Sequence, residues 1–366
     1  MGKLIAFDMD TSETLVNHIL TQWDQGNSVL PLDQRLPQLK KRDLVQRLGV
    51  AEVITDTETL KFSAPSMEPD DALVIATSGT TGNPKGVVLS HAAIKASSQM
   101  TSSILNVEKS SDEWLCCLPV SHIGGFSVIT RALQNGVSLK LLNKFDAQLC
   151  NEAGKNGSTL VSLVPTALQR VNASLFRKIL IGGSAIPKGL QKNIVRTYGL
   201  TETGSGIVYD GIPLPGVKVE IRNSEIWVQT PTLFNRYIGA PLRNEGSWFP
   251  TGDAGFIDED HKLVVTGRLD DAIITGGEKV WPALVEHELD MLGLLPENIV
   301  IGRPDSEWGE SVTIVVVTNR PEELPSIEEV RDRLSSSLPN YALPKTIEIV
   351  DQLPRNTMGK IQRHLI

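Results

Sequence analysis

Ten consecutive residues, Thr77-Ser78-Gly79-Thr80-Thr81-Gly82-Asn83-Pro84-Lys85-Gly86, gather the densest local chemistry in the chain. Their three glycines allow a tight, open backbone whose N–H groups can converge on an anion. Thr77, Ser78, Thr80 and Thr81 add hydroxyl donors that can also approach a metal ion, and Lys85 adds a positive charge. The string departs from the Gly-x-x-x-x-Gly-Lys-Ser/Thr phosphate loop: Pro84 precedes the lysine, and a strand rather than a helix is expected to follow. An ordinary surface turn rich in Gly, Ser and Thr is the bland alternative.

Further strings carry single reactive groups. In Tyr198-Gly199-Leu200-Thr201-Glu202 an aromatic ring beside a glycine can stack on a purine, and the carboxylate can hold Mg²⁺ through oxygen. In Trp248-Phe249-Pro250-Thr251-Gly252-Asp253 the carboxylate can accept from both hydroxyls of a ribose. Arg268, in Gly267-Arg268-Leu269-Asp270-Asp271, can reach ribose or phosphate with its planar fork, or form a surface salt bridge with Asp270 or Asp271. Gly182-Gly183-Ser184-Ala185 and Thr275-Gly276-Gly277-Glu278-Lys279 let a ligand approach the backbone closely, though each also fits a plain turn. His122 stands in Pro119-Val120-Ser121-His122-Ile123-Gly124-Gly125-Phe126; it can gate a pocket, contact an anionic group, or be structural. Lys360, in Leu353-Pro354-Arg355-Asn356-Thr357-Met358-Gly359-Lys360-Ile361, would by itself be solvated decoration.

Alternating elements must position these groups. Ala72 to Ala76 and Val87 to Leu89 read as strands around the glycine loop, and Ser90 can cap a helix starting at His91. Strands at Val137–Leu142, Leu160–Val164 and Lys178–Ile181 continue an α/β rhythm. Short alternating runs from Pro213 to Val265, such as 217–221 and 225–228, predict an antiparallel β-subdomain. The tail reads helix 283–292, strand 298–302, strand 312–317, helix 327–338, strand 346–350, with Ser326 and Glu329 as a capping box. Leu30-Pro31-Leu32-Asp33 and Leu36-Pro37 read as turns between short helices. The fold class is therefore α/β plus α+β: a large N-terminal domain of α/β layers with a β-subdomain, and a small α+β C-terminal domain.

Composition bounds the rest. The 366 residues exceed one ordinary domain, and 40% apolar with 21% charged residues support a folded core. A net charge of −8 argues against a dedicated nucleic-acid binder. Three cysteines, Cys116, Cys117 and Cys150, give neither a disulfide framework nor a zinc spacing and suit a reducing cytoplasm. Asp8 and Asp10 interrupt the apolar start, so no signal peptide is expected, and no run reaches membrane-spanning length.

In this order, the strings resemble the AMP-binding, adenylate-forming superfamily over about residues 72 to 366. That superfamily includes acyl-CoA synthetases, nonribosomal peptide synthetase adenylation domains and luciferases. The resemblance implies that Thr77, Ser78, Gly79, Thr80, Thr81, Gly82 and Lys85 cradle the phosphates of ATP. Gly183 and Ser184 would border adenine and the acyl pocket, Tyr198 would lie against adenine, and Thr201 would contact phosphate. Glu202 would hold Mg²⁺, Asp253 and Arg268 the ribose, and Gly276 and Gly277 would line the tunnel for the arm of coenzyme A. Lys360 would be the adenylation lysine, carried by a mobile domain, residues 270–366, that turns at Asp270 against residues 1–269.

The strings at His122, at Ser162-Leu163-Val164-Pro165-Thr166 and at Gly182-Gly183-Ser184-Ala185-Ile186-Pro187 look most like o-succinylbenzoate–CoA ligases of menaquinone synthesis. His122 and Ser205 are the polar pocket candidates. The alternatives are a CoA ligase for another aryl or short-chain acid, a stand-alone enzyme loading a carrier protein, and a non-catalytic nucleotide binder. Retention of Glu202, Asp253, Arg268 and Lys360 argues against the last. The first seventy residues are shorter than the family's usual N-terminus, and the oligomeric state, a homodimer included, is left open.

Overall fold

The computed structural model describes residues 2–78, 84–183, 190–355 and 361–366. It divides into two compact units, Met1–Val219 with Val228–Phe249, and Glu220–Trp227 with Pro250–Ile366. This contact division does not fall at 269/270: it groups the residues of the β-subdomain around Pro250–Arg268 with the C-terminal elements.

The first unit contains two sheets, each of seven strands among the described residues. One runs Arg236–Tyr237, Pro84–Ser90, Asp71–Ser78, Ser28–Pro31, Leu4–Asp8, Glu52–Thr55, Thr59–Lys61. Its centre is parallel, and buried on both faces it reads as unbroken apolar runs: Leu4, Ile5, Ala6 and Phe7 are all at most 1% exposed. The other runs Ile212–Pro213, Ser205–Tyr209, Ile194–Leu200, Lys178–Ile181, Leu160–Leu163, Glu113–Cys116, Ser138–Leu141. It is parallel from Ile194–Leu200 to Ser138–Leu141. Helices His91–Ile104 and Ile123–Asn135 pack on each other, the first against the strands around Asp71–Ser90 and the second against Glu113–Cys116 and Leu160–Leu163. They form a helical layer between the sheets. The approach is close because the first helix buries small residues, Ala93, Ser97, Ser98 and Thr101.

Local signals explain most boundaries. Ser90 caps the helix it precedes, its Oγ accepting from Ala93 N at 3.0 Å. Ser326 accepts from Glu329 N at 3.1 Å, which is the serine's half of the expected capping box. That helix ends at Leu334 rather than 338, because the hydroxyls of Ser335, Ser336 and Ser337 turn back to carbonyls three residues earlier and compete with the helical ladder. The turn expected at Leu30-Pro31 is instead a strand, Ser28–Pro31, with all four residues buried. Pro31 ends it, and a run of four residues is too short to show a period that outweighs two nearby prolines.

In the second unit, Lys218–Arg222, Glu225–Gln229, Phe249–Ile257 and Leu263–Arg268 form a four-stranded sheet. A second sheet holds Glu278–Val280, Ile273–Thr275, Gly309–Val317 and Asn298–Asp305, with Thr346–Val350 added in parallel to Gly309–Val317. Helices Pro282–Leu292 and Ile327–Leu334 cover one face, packing Val285, Leu289, Val330 and Leu334 on Val300, Val312, Ile314 and Val316. The helix–strand–strand–helix–strand order of the tail is as expected. No helix among the described residues is long and apolar enough to cross a membrane.

One ion pair closes the first sheet. Arg236 Nη1 and Nη2 donate to Asp71 Oδ1 and Oδ2 at 3.1 and 2.6 Å, with Asn235 Nδ2 adding a bond of 3.2 Å. The Asp71 side chain is 0% and that of Arg236 11% exposed. Arg236→Met leaves a carboxylate buried without its counter-charge, and urea unfolding of this variant is expected to show a loss of about 3–5 kcal/mol.

Candidate active site

Parallel strands of the second sheet all point one way, so their carboxyl ends open onto the same edge. The loops leaving those ends carry Pro119–His122 after Glu113–Cys116, Val164-Pro165 after Leu160–Leu163, Gly182-Gly183 after Lys178–Ile181, and Thr201-Glu202 after Ile194–Leu200. Every wall expected from sequence therefore shares one rim.

Glycines are required here by close approach. A Cβ on Gly199 would lie 2.1 Å from the carbonyl oxygen of Ser205, where the strand Ile194–Leu200 meets Ser205–Tyr209 across a bulge between Tyr198 and Gly199. Thr201–Thr203 then form a single 3₁₀ turn, pinned by the bond from Leu200 N to Thr203 Oγ1 at 2.8 Å and that from Thr203 Oγ1 to Ser205 O at 2.7 Å. This turn sets Glu202 next to a second segment. Phe234 N donates to Glu202 O at 2.8 Å, and Tyr237 Oη donates to Glu202 Oε1 at 3.0 Å. The exposed Lys85 ammonium lies 5.3 Å from the centre of the same Tyr237 ring, a cation–π contact. Thr77 and Lys85 face each other across the strand pair, with Thr77 Oγ1 donating to Lys85 O at 3.4 Å. Thr77, Lys85, Tyr237 and Glu202 are thus joined into one chain of contacts, and Tyr237 is a member that no motif announced.

Gly79, Thr80, Thr81, Gly82, Ser184 and Lys360 lie outside the described residues, as does the side chain of Ser78. Gly183, at φ +90, follows the strand Lys178–Ile181, and the half-buried Tyr198 lies near the end of the adjacent parallel strand Ile194–Leu200; Thr197 Oγ1, donating to Ile181 O at 3.0 Å, ties the two.

In the second unit, Asp253 and Arg268 are cross-strand partners. Arg268 Nη1 donates to Asp253 Oδ1 at 2.9 Å and to Thr251 O at 3.0 Å, so the arginine pairs with Asp253 and not with Asp270 or Asp271. Asp270 is exposed in the 3₁₀ turn Leu269–Asp271. Gly276 and Gly277, at φ +59 and +84, make a two-residue hairpin between Ile273–Thr275 and Glu278–Val280.

Glu202 offers a carboxylate for a metal, and no group of three or more His, Cys, Asp or Glu gathers among the described residues. That fits Mg²⁺, which takes one or two carboxylates and completes its shell with water and phosphate oxygens, and not a closed protein cage.

Sequence reasoning missed Arg131. It is the only charged residue in the helix Ile123–Asn135, and that isolation was the available signal. Its guanidinium is 2% exposed, with Nη2 donating to Ser205 Oγ at 2.8 Å and Nη1 to Ser162 Oγ at 3.4 Å. Ser127 Oγ lies 3.4 Å from Ser205 Oγ, and Trp114 covers the cation at 5.6 Å. No carboxylate pairs with Arg131 among the described residues, and its buried Nε has no partner. Burial pulls the guanidinium below its ordinary pKa, opposed by Tyr209, but an arginine stays charged. Ser205, a polar pocket candidate from sequence, is bonded to this arginine.

His122 is half-buried, and its Nε2 lies 2.9 Å from Arg35 Nη2 and 3.4 Å from Asp33 Oδ2. Both partners come from a stretch that sequence reading had assigned to turns.

The family model of AMP-binding enzymes matches residues 11–238, and that of the AMP-binding enzyme C-terminal domain matches residues 293–360. The chain is 32% identical to a 2-succinylbenzoate–CoA ligase of Lactococcus lactis subsp. lactis, over 92% of this chain and 84% of that protein. It is 33% identical to one from Geobacillus sp., over 99% and 87%. Among solved structures it is similar to o-succinylbenzoate CoA synthetase from Bacillus subtilis in complex with the acyl-adenylate intermediate OSB-AMP. There the TM-score is 0.85 at 25% identity, covering 99% of this chain and 87% of that one. The complex of the Bacillus subtilis enzyme with ATP and magnesium ion gives a TM-score of 0.85 at 25% identity, covering 99% and 89%.

A buried charge without a counter-charge weakens the fold that holds it. Arg131→Met, which replaces the guanidinium by an apolar chain of similar length, is expected to leave stability unchanged or raise it by about 1–2 kcal/mol in urea unfolding.

Proposed function

Because the chain belongs to the AMP-binding enzyme family, we propose that it activates 2-succinylbenzoate with ATP and passes the acyl group to coenzyme A. Kinship with 2-succinylbenzoate–CoA ligases supports the reaction, and one observation on this chain carries the substrate. That observation is Arg131, a buried cation with hydroxyl partners and, among the described residues, no acid, in the helix that follows the Pro119–His122 wall. A dicarboxylic acid needs two different receptions: one carboxylate is activated, and the other must be neutralised out of water. The guanidinium with Ser127, Ser162 and Ser205 offers the second, and a monoacid would leave the charge unanswered.

In the first step the reacting carboxylate attacks the α-phosphorus of ATP; acyl-AMP forms and pyrophosphate leaves. Positioning and charge stabilisation carry such a step more than covalent help. The glycine loop, Thr201, Lys85 and Lys360 are assigned to the phosphates, Tyr198 and Gly183 to adenine, and Asp253 with Arg268 to the ribose. Glu202, held by Tyr237, is assigned to Mg²⁺, which when bound supplies positive charge to the phosphate oxygens. In the second step the thiol of coenzyme A attacks the acyl carbonyl, its proton is lost, and AMP leaves. Lys360 would obstruct that path, so residues 270–366 are assigned a turn about Asp270 that withdraws it and presents Gly276 and Gly277. The positive φ of both glycines supports that role, and at Gly277 nothing lies within 4 Å of where a Cβ would stand, whereas at Gly276 the Trp308 ring already fills that place at 2.7 Å. A cytoplasmic setting suits the three free, buried thiols.

Purified protein with ATP, Mg²⁺ and coenzyme A is expected to yield 2-succinylbenzoyl-CoA by mass, and little or no ester with benzoate. Arg131→Met is expected to lower kcat/KM for 2-succinylbenzoate about a hundredfold. Equal use of both acids by the unaltered protein would refute the assignment of Arg131. Lys360→Ala is expected to abolish pyrophosphate release while sparing thioester formation from supplied acyl-AMP; equal loss of both would remove Lys360 from its role.

A further inference from the structure

Asp33 and Arg35 lie between the strand Ser28–Pro31 and the helix Gln38–Arg47, apart from every motif used so far. Asp33 is 8% exposed. Arg35 folds back onto it: Nε donates to Oδ1 at 2.8 Å, Nη2 to Oδ2 at 2.7 Å, and the backbone N to Oδ1 at 3.0 Å. Two bonds from a planar fork fix the plane of the guanidinium. Burial raises the Asp33 pKa, but the bonds and the charge of Arg35 oppose it, and the carboxyl sits well below the usual range, so the anchor is an anion.

The fixed guanidinium meets His122. Arg35 Nη2 lies 2.9 Å from Nε2, against 3.4 Å for Asp33 Oδ2. An arginine nitrogen only donates, so the shorter contact makes Nε2 the acceptor, and the neutral imidazole then carries its proton on Nδ1. His122 is also the residue before the helix Ile123–Asn135, with extended backbone, and its side chain makes no capping bond there. The ring is oriented by the clamp and not by the helix end.

We propose that Asp33 and Arg35 are positioning residues that hold His122 as its Nδ1–H tautomer, so that the ring edge away from the clamp is a hydrogen-bond donor. A donor at the Pro119–Phe126 wall suits a ligand rich in acceptor oxygens, such as the carbonyl of an activated acyl group. The kinetic part of this inference rests on the reading of that wall as a side of the acyl pocket; the tautomer does not.

The test begins on the whole protein without ligands, labelled with ¹⁵N-histidine, by long-range ¹H–¹⁵N correlation, with His122→Ala assigning the signal. The expected result is a protonated Nδ1 and a bare Nε2, changing in Arg35→Leu to a protonated Nε2 that donates to Asp33. Should Arg35→Leu not fold, Asp33→Asn, which keeps the shape but loosens Arg35, is expected to give a mixture of tautomers. A protonated Nε2 in the unaltered protein, or no change in the variant, overturns the clamp. In the assay, Arg35→Leu is expected to lower kcat/KM for the acid about tenfold with the KM for ATP unchanged, and to add nothing in a His122→Ala background. An equal loss in that background overturns the route through His122. A tautomer change with no kinetic effect leaves the clamp standing and refutes the pocket reading instead.

Discussion

Parallel pairing, from Ser138–Leu141 across to Ile194–Leu200, constrains everything the second sheet can do. Each parallel connection must return to the edge where it began, so the opposite edge receives all the outgoing loops. Chemistry needs several weak groups in one place, and this geometry delivers them without any loop having to be long. The antiparallel turn to Ser205–Tyr209 at the end of the sheet brings a fifth segment back to the same rim. It does so through a contact so close that Gly199 can carry no side chain.

Much of this was legible in the sequence, for identifiable reasons. Glycines flanked by hydroxyls report on backbone shape directly, and strands buried on both faces announce themselves as apolar runs, as in Asp71–Ser78 and Gly309–Val317. Spacing also told where Asp253 and Arg268 stand, though not that they bond to each other across a strand pair. What stayed hidden depends on contacts between distant residues. Arg131 is a lone charge in an apolar helix until Ser162 and Ser205, from two other segments, are placed beside it. Asp33 and Arg35 look like a polar turn until His122, far along the chain, arrives. Tyr237 Oη finds Glu202 only because its two-residue strand pairs with Pro84–Ser90. A linear pattern holds no record of such meetings.

Three charged groups show how unequally the chain treats charge. The Arg236–Asp71 pair is buried and fully matched, and serves the fold. Arg268–Asp253 is partly open, with side chains 33% and 9% exposed. Arg131 is buried and meets only hydroxyls and the Trp114 ring, with no carboxylate among the described residues. The degree of pairing distinguishes these three arginines better than burial does.

The Asp71–Arg236 contact spans 165 positions. At a synthesis rate of roughly 5–20 residues per second, Pro84–Ser90 waits on the order of ten to thirty seconds after emerging before its second neighbour, Arg236–Tyr237, exists. During that interval Val87, Val88 and Leu89, all 0% exposed in the finished protein, line an open sheet edge. Such an edge can recruit another nascent chain, which makes the shielding of this strand during synthesis a demand separate from the stability of the completed fold.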